Sequence, residues 1–183
     1  MARLNISHKG PQPSLNEATF RQLFDKLYDG LCRYSIQFVR VPQIAEDIVQ
    51  NLFIYLWEKR KEIDIHTSYS SYLHKAVKNR SIEYLRSKFA RIDFVQTDAS
   101  QFLPEYSNPQ IKLEEEELET IIAKVVNDLP EKCYIIFSMS RFGDLTHKQI
   151  AEKLNISVKT VEAQLTKALK RIRVAVENYR SMT

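Results

Sequence analysis

The chain has 183 residues, a length that suits either one large domain or two small ones. Only three glycines accompany 44% hydrophobic residues, so the composition favours helices over a turn-rich sheet protein. The net charge is +4, no apolar run is long enough to cross a bilayer, and residues 1–14 lack the apolar segment of a secretory signal. We therefore expect a cytoplasmic protein without membrane insertion, in which Cys32 and Cys133 are buried thiols rather than a disulfide.

Three segments in the first half of the chain have apolar residues at helical spacing. After a flexible tail at 1–14, the first runs from Leu15 to about Val39. Pro42 can open the second, which continues to about residue 60 and has too many apolar positions for a lone surface helix. A loop at 62–68 precedes the third, from about Tyr69 to Phe89. We expect the three helices to form one bundle, a domain at 15–91.

An acidic and irregular segment follows the third helix. Residues 92–109 contain two prolines and no steady period, and residues 105–119 hold six acids against the single base Lys112. The sequence therefore predicts a flexible acidic linker at 92–115. Two further helices, at 114–126 and 131–141, open a second domain at 116–183. The expected fold class is all-α, with two small helical domains.

Residues 145–173 read as a helix-turn-helix, in which a short helix and a longer basic helix are joined by a tight turn. Thr146 can cap the first helix and form a capping box with Gln149. Asn155 tolerates the left-handed backbone that such a turn needs, and Ser157 can cap the second helix. The expected inner face of the second helix is Val161, Leu165, Ala168, Leu169 and Ile172. The alternative is a helical hairpin whose charges are merely solvated.

Basic residues are concentrated in two blocks. Residues 68–91 hold six basic side chains against one acid, and residues 145–183 hold eight against three. Because each block falls on a predicted amphipathic helix, the pattern indicates two nucleic-acid surfaces on one chain. Chance variation in the charge of helical surfaces is the competing explanation.

The sequence contains no signature of an enzyme. There is no Gly-rich phosphate loop, no paired metal-ligand motif and no Ser-His-Asp or Cys-His arrangement. The four histidines are scattered, and none is at metal-binding spacing from a cysteine. We therefore expect no catalysis, no cofactor and no metal.

Four stretches together resemble a known family. They are AEDIVQNLFIYLWEKR at 45–60, SYLHKAVKNRSIEYLRS at 71–87, LPEKCYIIFSMSRFGDLTHKQIAEKL at 129–154 and NISVKTVEAQLTKALKRIR at 155–173. In this order they resemble the core-binding, promoter-melting and helix-turn-helix segments of a bacterial RNA polymerase sigma factor. The resemblance is to the extracytoplasmic-function group of the sigma-70 family. Glu162 and Gln164 depart from the pattern, because relatives often have arginine at these recognition positions.

The resemblance implies a factor that brings core RNA polymerase to promoter DNA and helps to open the duplex. Domain 15–91 would correspond to sigma region 2 and domain 116–183 to sigma region 4. The resemblance assigns contacts with the largest polymerase subunit to four residues of the second helix, which are Asp47, Gln50, Asn51 and Phe53. For Phe53, the residues alone favour a place in the core, whereas the family pattern favours the interface. An anti-sigma factor is a further implied partner.

The DNA-binding residues follow from the resemblance and from side-chain chemistry. Asn79 can pair with a base edge, while Lys75 and Arg80 suit phosphates. The candidates for the minus-ten element are His66, Ser68, Lys75, Lys78, Asn79 and Arg80. The candidates for the minus-thirty-five element are Lys159, Thr160, Glu162, Ala163, Gln164, Thr166 and Lys167. Glu162 suits a cytosine, but it could equally pair with Thr166 or Lys170 along its own helix.

Two other binding functions remain open at this point. A helix-turn-helix regulator with an unrelated N-terminal domain would bind duplex DNA without polymerase core. A helical RNA-binding protein would prefer A-form RNA to open promoter DNA.

Overall fold

The computed structural model describes residues 15–92 and 113–181, which form seven α-helices and contain no strand. The all-α prediction is confirmed. The predicted tail at 1–14 and most of the predicted linker lie outside the described residues. The helices are α1 (Glu17–Val39), α2 (Pro42–Glu58), α3 (Tyr69–Ile92), α4 (Leu113–Asn127), α5 (Glu131–Arg141), α6 (His147–Leu154) and α7 (Val158–Arg180).

The chain divides into two compact units, Met1–Tyr84 and Leu85–Thr183. This division falls inside α3, whereas the sequence places the end of the first domain at residue 91. The domain bounds of 15–91 and 116–183 therefore stay a prediction.

Local signals set the first two helices. The Asn16 side chain accepts a hydrogen bond from the backbone N–H of Thr19 at 2.9 Å and so caps α1. Arg40 ends that helix in the left-handed conformation, with φ of 62°. Pro42 then opens α2, as predicted, because its missing N–H is not needed in the first turn.

The core of the first unit lies where α1 and α2 pack together, and it includes residues of α3. It contains the buried apolar residues Leu15, Leu31, Cys32, Val49, Leu52, Phe53, Leu56, Leu73 and Val77. Aromatic side chains pack together on one side of this core. The Phe53 ring is 5.0 Å from that of Phe24 and 5.9 Å from that of Phe20, both at edge-on angles that aromatic pairs favour.

α7 packs against α4, α5 and α6 in the second unit. α5 is buried at seven consecutive residues, 133–139, so it presents no solvent face over that length. After α5 the chain turns at Gly143, where an added Cβ would collide with the carbonyl oxygen of Met139. This close approach leaves room only for glycine at position 143.

The predicted inner face of α7 needs one correction. Val161, Leu165 and Ala168 are buried, but Leu169 is 58% exposed. Each residue turns the helix by about 100°, so Leu169 is carried away from the line that Ala168 continues. Ile172 returns to that line and is half-buried.

Candidate nucleic-acid interface

Side-chain caps fix the helix-turn-helix as the sequence predicts. Thr146 Oγ1 accepts from the backbone N–H of Gln149 at 3.3 Å, and Gln149 Oε1 accepts from the backbone N–H of Thr146 at 2.9 Å. These two bonds complete the capping box of α6. The start of this helix is therefore specified by two side chains three positions apart, those of Thr146 and Gln149.

The turn between α6 and α7 depends on one left-handed residue. Asn155 has φ of 54° and ψ of 46°, the conformation expected for it. The backbone N–H of Ile156 then bonds to the carbonyl of Ala151 at 3.0 Å. Ser157 Oγ accepts from the backbone N–H of Thr160 at 3.0 Å and caps α7. The predicted turn and cap are confirmed.

Most of the minus-thirty-five candidates lie on one solvent-facing side of α7. The exposed members of the set are Lys159, Thr160, Glu162, Ala163, Thr166 and Lys167. Gln164 differs, because it is half-buried and its backbone carbonyl accepts a hydrogen bond from Cys133 Sγ at 3.3 Å. The Thr160 hydroxyl is 2.8 Å from that of Ser157, so it shares in the cap.

Two charged residues of α7 contact groups outside that helix. The Glu162 carboxylate lies 3.8 Å from Nδ1 of His147 on α6, a contact absent from the sequence-based alternatives. Arg171 donates to the backbone carbonyl of Asp128 at 3.2 Å, beyond the end of α4. Both contacts join residues far apart in the chain, and helical spacing within α7 could not have revealed them.

The minus-ten candidates on α3 differ in exposure. Lys75 and Asn79 are exposed, whereas Lys78 and Arg80 are half-buried. The Arg80 guanidinium carbon lies 5.5 Å from the ring centre of Tyr55 on α2, within the range of a cation–π contact. Asn79 therefore presents a donor and an acceptor to solvent, while Arg80 is partly held by an aromatic ring.

The loop before α3 carries the other two minus-ten candidates. His66 is exposed, as expected, and its Nε2 lies 3.5 Å from a carboxylate oxygen of Asp64. Ser68 Oγ accepts from the backbone N–H of Ser71 at 3.1 Å, so this hydroxyl caps α3. A structural role for Ser68 was not anticipated, although Ser before a helical segment is a common cap signal.

Burial raises the pKa of two tyrosines near this face. Tyr69 and Tyr72 are both half-buried against the core of the first unit, and desolvation of the phenolate raises the pKa of each. Both phenols are therefore neutral at physiological pH. Both rings are therefore held partly in the core of the first unit.

Of the four residues predicted to contact core polymerase, three are exposed on α2 and one is buried. Asp47, Gln50 and Asn51 are exposed, and Gln50 Nε2 donates to the hydroxyl of Tyr28 at 3.1 Å. Phe53 is only 2% exposed, so the expectation of an accessible aromatic at this position is wrong. Phe53 turns toward the core because it lies on the same side of the helix as Val49.

Two exposed apolar residues on α2 were missed by the sequence reasoning. Ile54 is 54% exposed and Tyr55 is 42% exposed. Ile54 follows Asp47 by seven residues, or two helical turns, and therefore shares its face. That spacing was the available signal. We define the α2 face by its exposed members, Asp47, Gln50, Asn51, Ile54 and Tyr55.

Cys32 and Cys133 are buried free thiols, which confirms the expectation for both. Burial raises the pKa of the Cys32 thiol, so it is protonated at neutral pH. Within the described ranges, none of the helices has the length and apolar character required to span a bilayer.

Family comparisons agree with this arrangement of two helical units. Residues 23–90 match the model for sigma-70 region 2, and residues 119–172 match the model for sigma-70 region 4. The chain belongs to the sigma-70 family. It is a sigma factor of the extracytoplasmic-function group, which directs RNA polymerase to promoters.

Curated relatives of this sigma factor match it over most of their length. The extracytoplasmic-function sigma factor RpoE of Cereibacter sphaeroides is 25% identical over 161 residues, covering 86% of each chain. SigW of Bacillus subtilis is 26% identical over 179 residues, covering 93% of each chain. A solved structure of the sigma factor RpoE with the anti-sigma factor NepR, from Bartonella quintana, has a TM-score of 0.44 at 16% identity. It covers 86% of this chain and 96% of that chain.

Proposed function

We propose that this sigma factor initiates transcription through three separate surfaces, one for core polymerase and two for promoter DNA. The observation that carries the proposal is the presence, in one chain, of both sigma regions, with a capped helix-turn-helix in the second. An isolated helix-turn-helix would support many kinds of regulator. The additional region 2 match favours a polymerase-dependent factor over a regulator that acts alone.

The α2 face is the proposed contact for core polymerase. Its polar members Asp47, Gln50 and Asn51 adjoin the exposed apolar side chains of Ile54 and Tyr55. Such a mixed surface suits docking on another helix, because the apolar groups supply buried area and the polar groups supply orientation. The Phe53 side chain packs in the hydrophobic core on the opposite side of α2.

The loop at 62–68 and the exposed side of α3 are the proposed contact for the minus-ten element. A base read on its pairing edge must leave the stack, at a cost on the order of a few kcal/mol. Asn79 can pair with such a base, and Lys75 can neutralise a phosphate. Lys78, Arg80, His66 and Ser68 complete the proposed set, with Arg80 drawing on its contact with Tyr55.

The exposed side of α7 is the proposed reader of the minus-thirty-five element. Lys159 and Thr160 lie in the first turn, where backbone N–H groups favour a phosphate. Glu162, Ala163 and Thr166 follow on the same exposed side as proposed contacts for base edges in the major groove, and Lys167 can neutralise a phosphate. The half-buried Gln164 lies at the margin of this surface.

Three further properties follow from the proposed role. The factor catalyses no reaction itself and needs no cofactor, since it acts by positioning polymerase and DNA. Its place of action is the cytoplasm, where its polymerase partner works. An anti-sigma factor is a proposed regulatory partner, supported by membership of the extracytoplasmic-function group.

A binding comparison tests the proposal against the polymerase-independent alternative. Purified full-length chain is mixed with core RNA polymerase, and capture of the complex is measured with and without promoter DNA. We expect capture without DNA, and sequence-specific DNA binding that needs the core enzyme. Specific duplex binding by the chain alone, with no capture of core, would instead support the independent regulator.

A further inference from the structure

A residue outside the recognition helix approaches one of the proposed base-reading side chains. Nδ1 of His147 lies 3.8 Å from Oε1 of Glu162. Glu162 projects from the exposed side of α7, while His147 is the first residue of α6. The carboxylate is therefore approached from the neighbouring helix.

This contact distinguishes between the arrangements open to Glu162. The sequence allowed the carboxylate to pair along α7 with Thr166 or Lys170. In the structure, the carboxylate instead lies 3.8 Å from the imidazole Nδ1 of His147. Since a free glutamate side chain samples many rotamers, even one lateral contact biases the direction in which its carboxylate points.

The backbone on both sides of the contact is fixed. Thr146 immediately precedes His147 and caps α6, while Ser157 caps α7. The left-handed Asn155 sets the turn between the two helices. The backbone positions of His147 and Glu162 are therefore set by the helix-turn-helix itself.

The two side chains are well exposed, at 49% for His147 and 57% for Glu162. Solvent screening makes an exposed pair of this kind a minor contributor to folding stability. The contact instead affects the orientation of the Glu162 carboxylate on the proposed DNA-binding surface of α7. A glutamate carboxylate in the major groove accepts a hydrogen bond from the amino group of cytosine.

We propose that His147 is a positioning residue that orients the Glu162 carboxylate and so sharpens the base preference at one position of the minus-thirty-five element. The inference rests on the proposed role of α7 in reading that element. His147 itself needs no contact with a base. Base selectivity, rather than overall affinity, is therefore the property that it controls.

The test is a selection on duplex DNA randomised across the minus-thirty-five element. Holoenzyme is assembled from core RNA polymerase and the full-length chain, and base frequencies in the bound DNA are read by sequencing. The variants are Glu162→Ala, His147→Ala, the double variant and His147→Gln, which keeps a hydrogen-bond donor. Lys148→Ala is the matched control, because Lys148 is the exposed neighbour of His147 on α6.

We expect Glu162→Ala to abolish the preference at one position. His147→Ala should weaken the preference at that same position about two- to fivefold, the range for an exposed side-chain pair. It should add nothing in the Glu162→Ala background, and His147→Gln should recover part of the loss. Lys148→Ala should leave the profile of base frequencies unchanged at every position.

Three results would overturn the inference. His147→Ala could retain the full preference at the Glu162-dependent position, or could alter the profile equally with and without Glu162. Alternatively, Glu162→Ala could change no position while the wild-type holoenzyme still selects a promoter, which would leave the proposed function standing. Failure of the wild-type holoenzyme to select any sequence would overturn the proposed function as well.

Discussion

Buried serine hydroxyls have opposite effects on the folding stability of the two units. The hydroxyls of Ser35 and Ser81 lie 3.1 Å apart and bond to each other between α1 and α3. Ser138 on α5 is equally buried, but its hydroxyl has no hydrogen-bond partner within the described structure. A satisfied buried hydroxyl contributes to stability, whereas an unsatisfied one costs its lost hydration.

Ser138→Ala should therefore stabilise the second unit by about 1 kcal/mol, the lower end of the desolvation cost of a hydroxyl. Ser35→Ala should destabilise the first unit by about 1–3 kcal/mol, because it leaves Ser81 without its partner. Urea unfolding, followed by helical circular dichroism, measures both changes. Equal destabilisation by the two substitutions would contradict this difference between the hydroxyls.

The two proposed DNA surfaces make separable contributions. Lys167→Ala should weaken holoenzyme binding to the minus-thirty-five duplex and reduce the salt dependence of binding by about one phosphate contact. Asn79→Ala should spare that binding and reduce promoter opening, because its amide is proposed to hold an unstacked base. Salt titrations measure the first effect and permanganate footprinting the second. An equally open bubble with Asn79→Ala would remove the role proposed for that residue.

At the scale of the element, α2 has a core side and a solvent side with different functions. Phe53→Ala should cost about 3–5 kcal/mol of folding stability, as for other buried phenylalanines. Ile54→Ala and Tyr55→Ala should leave the unfolding midpoint almost unchanged and weaken capture of core polymerase several-fold. Thermal unfolding and quantitative pull-down measure the two effects. Glu46→Ala, at an exposed position of α2 outside the α2 face, is the control for general disturbance of the helix.

If the Ile54 and Tyr55 variants lose folding stability but keep their affinity for core polymerase, this division of α2 is contradicted. The substitutions would then report packing rather than docking.

The helices and their caps could be predicted from the sequence because those signals are local. Thr146, Asn155 and Ser157 specify the helix-turn-helix through bonds to residues within a few positions of each. Leu169 was misplaced because its apolar character was followed rather than its angle around α7. For Phe53 the residues alone favoured the core, where it lies, and only the family pattern favoured the interface. The contact between His147 and Glu162 was out of reach, since it joins two helices through their tertiary packing.

At the scale of the whole molecule, the proposed function divides promoter recognition between the two units. The sequence predicts a basic block in each, and the structure places exposed basic residues on α3 and α7. Lys75 belongs to the first unit and Lys167 to the second. The proposed output is therefore the placement of a larger enzyme at a promoter.

Run-off transcription with purified core RNA polymerase on genomic DNA fragments tests this account most directly. Adding the chain should produce discrete transcripts from a limited set of fragments. The yield of these transcripts should fall when either Asn79 or Lys167 is replaced by alanine. Core enzyme alone should give only non-specific products. If the chain leaves the products of core enzyme unchanged on every fragment, the account of promoter-directed initiation is contradicted.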